Sequence, residues 1–180
     1  MLPAIPQDLL PAHPGQSVWE YYAHSLSLSG RAKFREGIIS TIERMTEIKD
    51  TQPGTSDVTT EGIRIRVGAQ RVKNHNFPDP DKNIFVYQVV IENCGDDWAQ
   101  LLSRHWRIVD GDGHEEIIQG PGVVGMTPAL EPGQTHKYQS FCPLDTAWGS
   151  MEGHFTFRRR DESLFQAEVG RFFLASSERP

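Results

Sequence analysis

From Val58 to Phe173, apolar residues recur at every second position, and clusters of Gly, Asp and Pro interrupt them at short intervals. Such alternation sends neighbouring side chains to opposite faces of an extended backbone, so that each segment buries one face and wets the other. Ile63, Ile65 and Val67 alternate with Arg64 and Arg66. The run from Ile84 to Glu92 is longer and rich in β-branched and aromatic residues, which marks a central strand. Leu101 to Val109 and His114 to Gln119 flank Asp110-Gly111-Asp112-Gly113, where Asp-Gly supplies positive φ at little steric cost and predicts a hairpin. A turn at Leu130 to Gln134 precedes a strand near Thr135 to Phe141. Met151 to Arg158 and Leu164 to Phe173 then pair across the charged tip Arg159 to Glu162. About seven strands with no helix between them predict an antiparallel sandwich of two sheets.

The first 50 residues follow a different period. Pro3, Pro6, Pro11 and Pro14 lack amide donors and disfavour helix at the residues before them, so they predict an irregular arm. Ser17 stands three residues before Glu20, the spacing of a capping box, and opens a helix running to about Leu28. A second helix is predicted from about Arg31 to Lys49, with Phe34, Ile38, Ile42, Met45 and Ile48 stacked on one side. The stretch from Thr51 to Asp57 has the composition of a linker. The chain thus divides into residues 1–54, a Pro-rich arm with two amphipathic helices and a linker, and an all-β domain over 55–176.

At 180 residues the chain is long enough to bury a sizeable core. Its 18 basic and 24 acidic side chains leave a net charge of −6, which argues against direct nucleic-acid contact. No apolar run reaches the length of a membrane span. The opening Met1-Leu2-Pro3-Ala4-Ile5-Pro6 lacks a basic stretch and a continuous apolar core, so no secretory signal is expected. An intracellular, cytoplasmic location follows, or an organellar one if a transit peptide has been removed. Cys94 and Cys142 are too few for a disulfide scaffold and are expected as two buried thiols.

Several stretches resemble the ApaG (DUF525) domain family. They are Val58-Thr59-Thr60-Glu61-Gly62-Ile63, Tyr87 to Asn93, Gln100-Leu101-Leu102-Ser103-Arg104-His105-Trp106, Gly120-Pro121-Gly122-Val123-Val124-Gly125, and Pro143-Leu144-Asp145-Thr146 with Gly149-Ser150-Met151-Glu152-Gly153. The resemblance covers roughly residues 55–175. It implies a fibronectin-III or immunoglobulin-like β-sandwich. It also brings an association of bacterial members with cobalt resistance and magnesium efflux, and of eukaryotic members with F-box and other interaction domains.

Gly120-x-Gly122-x-x-Gly125 has the spacing of a dinucleotide fingerprint, in which glycines admit a phosphate to the start of a helix. Pro121 lies inside the motif, and Met126 to Gly133 carries two prolines, so no helix follows. A tight inter-strand loop is the expected role. The alternative is a phosphate or nucleotide held by loop amides, with Arg104 and His105 as countercharge. Ser103 and His105 fall on one strand face, Arg104 and Trp106 on the other, with Trp106 expected in the core. Ser103 and His105 lack an evident third group beyond a nominal Asp145, so no catalytic set is assigned. No metal site is assigned either. His105, His114, His136, His154 and Cys142 have no ligand spacing, and the acidic Asp110 to Glu116 tip reads as a solvated hairpin. No cofactor is expected.

The resulting expectation is a non-enzymatic protein–protein interaction module or accessory subunit. Phe34, Ile38, Ile42 and Met45 are expected to form a partner-docking stripe, because an isolated helix of this length is marginal in water and must find a surface. Introducing Ile38→Asp with Ile42→Asp should leave the melting temperature of the isolated protein nearly unchanged while partner recovery falls. A marked drop in melting temperature with partner binding retained would place the stripe inside the fold instead.

Overall fold

Every alternating segment becomes a strand in the computed structural model, which describes residues 55–72 and 81–175. The two helices and docking stripe expected before residue 50 lie outside those residues. In chain order the strands are β1 (Ser56–Thr60), β2 (Ile63–Val72), β3 (Asn83–Asn93), β4 (Ala99–Asp110), β5 (Glu115–Pro121), β6 (Ala129–Leu130), β7 (Thr135–Leu144), β8 (Gly149–Arg159) and β9 (Leu164–Leu174). All pairings are antiparallel. One sheet runs β1-β2-β3-β7; the other runs β5-β4-β8-β9, with β6 also on β4. The expected sandwich forms, with β1 and β6 as strands the sequence reading did not separate.

The inner faces meet in a single apolar core. The first sheet contributes Ile63, Ile65, Val67, Phe85, Tyr87, Val89 and Ile91. Trp106 on β4 is 2% exposed and lies edge-on to Tyr87 of the opposite sheet, with ring centroids 6.0 Å apart. It makes the same kind of contact with Phe155 at 5.4 Å and Phe172 at 5.9 Å. On one side of the sandwich β1 and β2 pack on β9. There the Glu168 amide donates to Thr60 Oγ1 at 3.1 Å, and Arg159 Nη2 donates to the Glu61 carbonyl at 2.7 Å.

One end is tied by a buried polar side chain. Asn93 is fully buried; its Nδ2 donates to the Asp97 and Leu130 carbonyls, and its Oδ1 accepts from the Gly95 amide. A buried amide with these partners avoids the penalty of an unmatched polar group and fixes the loops around it. The neighbouring Cys94 is exposed, whereas Cys142 is buried, so the expectation of two buried thiols holds only for Cys142. The difference arises because Cys94 follows the last residue of β3 and enters the turn, leaving the interior.

Gly153 of β8 faces Trp106 in the strand pairing. A Cβ there would stand 1.9 Å from the His105 carbonyl oxygen and 3.2 Å from Trp106 Cα, so the close approach of β8 to β4 requires glycine. Gly153→Ala should therefore lower unfolding free energy by about 2–3 kcal/mol, the upper part of the range for overpacking. Urea titration would measure it, and an unchanged midpoint would show that the strands can part freely.

Candidate functional site

The candidate residues cluster on the hairpin of β4 and β5 and on the β8 and β9 strands beside it. At the Asp110 end, loss of hydration pushes the Asp110 carboxyl upward, but bonds from the His114 amide and ring and the Asp112 amide outweigh it and lower its pKa. Asp110 Oδ1 accepts both amides at 2.9 Å, and Oδ2 lies 3.0 Å from His114 Nδ1. The acidic tip is thus a self-bonded turn.

At the other end, the glycine motif closes a second, shorter hairpin. Val123 and Met126 exchange two backbone bonds, of 2.8 and 3.0 Å, around Val124 at φ 49° and Gly125 at φ 73°. Two successive positive φ values are the signature of a type I′ turn. The Gly122 amide donates to the Leu102 carbonyl at 2.8 Å. Gly122 has φ +56°, and a Cβ on it would come within 2.3 Å of the Met126 carbonyl oxygen. Val123 is buried in the core, while Val124 and Met126 are 46% and 56% exposed.

Arg104 braces this turn. Its Nη1 donates to the Pro121 carbonyl at 2.9 Å and the Gly122 carbonyl at 2.8 Å. Gly120 leaves space for the guanidinium, which would be 3.3 Å from a Cβ at that position. Arg104 thus meets backbone carbonyls and not a carboxylate. Asp145 pairs with Lys82, and Glu152 with Arg107 and Arg171. The loop therefore directs the amides of Gly122, Val123 and Met126 at carbonyls of the chain. Arg104 meets the loop from its carbonyl side.

His105 does not join Arg104 at the loop. The two are strand neighbours, and His105 lies on the outer face of the sheet. There it belongs to a straight row across four strands, Gln119 of β5, His105 of β4, His154 of β8 and Glu168 of β9. Gln119 Nε2 lies 2.9 Å from His105 Nδ1. The His105 and His154 rings stack with centroids 4.7 Å apart and 7° between planes. Burial, and then the neighbouring His105, push the His154 pKa below the usual imidazole value.

A second row runs beside the first. Arg107 bridges Glu115 at 2.7 Å and Glu152 at 2.7 Å, and Arg171 Nε reaches Glu152 at 2.8 Å. The Glu152 pKa is lowered, most by its bond to Arg171; loss of hydration opposes this, and Arg107 reinforces it. The two rows border a groove of about 230 Å³ that includes His105, Arg107, Glu152, His154, Glu168 and Arg171.

The pairing of His105 with His154 escaped sequence reading because strand register, not chain spacing, brings them together. The chain itself masks the cause, because Leu102 is apolar at the parity of Trp106 and Ile108. In the fold it is Leu101 that is buried with Trp106, at different parity along β4, which requires an irregularity between them. The pairing shifts between Leu101 and Ser103.

Comparison with known proteins places this architecture. The ApaG domain model (DUF525) matches residues 73–159. Protein ApaG of Methylobacterium sp. (strain 4-46) is 44% identical over 115 residues, covering 64% of this chain and 88% of that protein. Protein ApaG of Bdellovibrio bacteriovorus is 45% identical over 103 residues, covering 57% of this chain and 81% of the relative. The crystal structure of an ApaA protein from Bordetella pertussis is 33% identical with a TM-score of 0.61, and the match covers 71% of this chain and all of the other. With nearly the whole length of these relatives matched in sequence and the sandwich matched in structure, the chain belongs to the ApaG domain family.

Proposed function

We propose that this chain acts by binding, as a protein–protein interaction module or accessory subunit built on its ApaG domain. Its relatives are named for the family rather than for a reaction. The observation that carries the reading is the exposed pair Val124 and Met126 on a turn that cannot easily relax. Backbone bonds close the turn, Arg104 braces it, and Val123 plugs it into the core. Rigid presentation of apolar side chains lowers the ordering cost of association, which favours a docking role. Val124 adds to this, because a β-branched residue at φ 49° is strained, and strain of this kind gathers where function over-determines the backbone. Residues 1–54, with the stripe Phe34, Ile38, Ile42 and Met45, would supply a second contact. A phosphate or nucleotide at Gly120, Gly122 and Gly125 with Arg104 and His105 has less support, since Arg104 faces loop carbonyls and His105 the other side of the sheet.

Two measurements bear on this. Affinity capture with the full chain should recover one protein in fixed stoichiometry, and Met126→Glu should reduce its recovery at least tenfold with the melting temperature unchanged. Equal recovery of that protein by the variant would sink the docking role of the turn. Separately, Val124→Gly should raise unfolding free energy by about 1 kcal/mol, the scale of a left-handed penalty for a residue bearing Cβ. Loss of stability in that variant would mean that Val124 is not strained.

A further inference from the structure

We propose that β5 is an open sheet edge that takes an extended peptide as an added antiparallel strand, and that the peptide it fits is apolar in its N-terminal half and basic in its C-terminal half. The inference rests on the docking role given above and names the chemistry of the partner. The edge is read from the ladder. The Asp110 amide donates to the His114 carbonyl at one end of the β4–β5 pairing, and the Gly122 amide donates to the Leu102 carbonyl at the other. Bonded and non-bonded pairs alternate along an antiparallel ladder. Counting from either end gives the same result. Glu116, Ile118 and Gly120 bond to β4, whereas the amides of Glu115, Ile117 and Gln119 point away from it.

Among the described residues no other strand pairs with β5. Glu115, Glu116, Ile117, Gln119 and Pro121 are exposed along it, Ile117 by 45%. Sheet edges are ordinarily guarded by lysine, proline, a bulge or a covering element. β9, the opposite edge of this sheet, packs against β1 and β2. β7, an edge strand of the facing sheet, carries Lys137 and Pro143. From Glu115 to Gln119, β5 has neither residue type and pairs with β4 in unbroken register. Its charges are acidic and sit at one end, which selects among incoming strands rather than excluding them.

The two ends of the edge differ in chemistry. Asp112, Glu115 and Glu116 gather negative charge where β5 begins. Beyond Pro121 comes the turn with exposed Val124 and Met126. After that turn β6 rejoins β4 at Ala99 and Gln100, so the turn projects from the same edge that β5 forms. A strand running antiparallel to β5 passes the apolar turn first and the acidic end last. That order sets the sequence it prefers, because complementary charge fixes register and rejects wrong partners. Outward main-chain groups supply the affinity, as in other cases of strand addition, and a β-branched residue opposite Ile117 completes a cross-strand pair.

The test uses the full chain and the synthetic peptide acetyl-Val-Leu-Val-Thr-Val-Lys-Val-Lys-amide. Hydrogen exchange followed by NMR should show the amides of Glu115, Ile117 and Gln119 slowing at least tenfold with peptide, while Glu116 and Ile118 change little. A contact through side chains alone would not give that alternation. The same peptide with Glu in place of Lys should bind at least tenfold more weakly. Ile117→Pro removes an outward donor and no bond to β4, so its melting temperature should stay within a few degrees while peptide affinity falls at least tenfold. No slowing at millimolar peptide, or equal affinity in Ile117→Pro, would overturn the assignment. Protection present without peptide and lost on dilution would give the edge to a second copy of this chain instead. The wild-type exchange pattern decides even if the variant folds poorly. Equal capture by Met126→Glu with this pattern intact would sink the turn and leave the edge.

Discussion

The indole of Trp106 is the contact on which the two sheets depend. It reaches from β4 to Tyr87 on the facing sheet and lies edge-on to Phe155 and Phe172 of its own. Each such pair adds about 0.5–1.5 kcal/mol beyond the apolar area it covers. The arrangement also dictates its surroundings. Because Trp106 faces β8 at Gly153, the strand beside the largest core side chain carries the smallest residue, and the backbones close together there. Large against small across facing positions is how a core reaches native density without voids.

The fold was legible because its strands are half-buried, and a half-buried strand writes its geometry into alternate residues. The β4–β5 hairpin stands where Asp110-Gly111 predicts it, and the long apolar run from Ile84 to Glu92 forms β3, inside its sheet. The first hairpin was harder. β1 and β2 turn through Glu61 at φ 47° and Gly62 at φ 82°, and Glu-Gly is a weaker turn signal than Asp-Gly. β6, two residues long, is shorter than any periodicity can reveal.

The candidate site was less legible, for a physical reason. A local pattern states which face a side chain takes, but its partners come from register. Alternation alone separates Arg104 from His105. That Arg104 would bond backbone carbonyls at Pro121 and Gly122, rather than a carboxylate, depends on how the following loop folds back. The glycine motif is legible as spacing and not as role. Each glycine has a local cause here: room for a guanidinium at Gly120, a close carbonyl at Gly122, and a left-handed turn position at Gly125.

The irregularity in β4 joins these features. Leu101 pairs with Phe157 and Ser103 with Thr156, so Leu102 is the extra residue of a bulge. A bulge switches the face on which later residues fall. Leu101 is buried before it, and Trp106 and Ile108 are buried after it at the opposite parity. The same residue offers its carbonyl to the Gly122 amide, the bond that begins the exposed turn. One inserted residue therefore sets both surfaces. It aims Trp106 at the core, leaves His105 facing out between Gln119 and His154, and anchors the hairpin that carries Val124 and Met126. Because side-chain direction in a strand has period two, a β4 in which Leu102 took a regular ladder position after Leu101 would send His105 inward and Trp106 to solvent. The outer histidine row and the core are thus two consequences of one register.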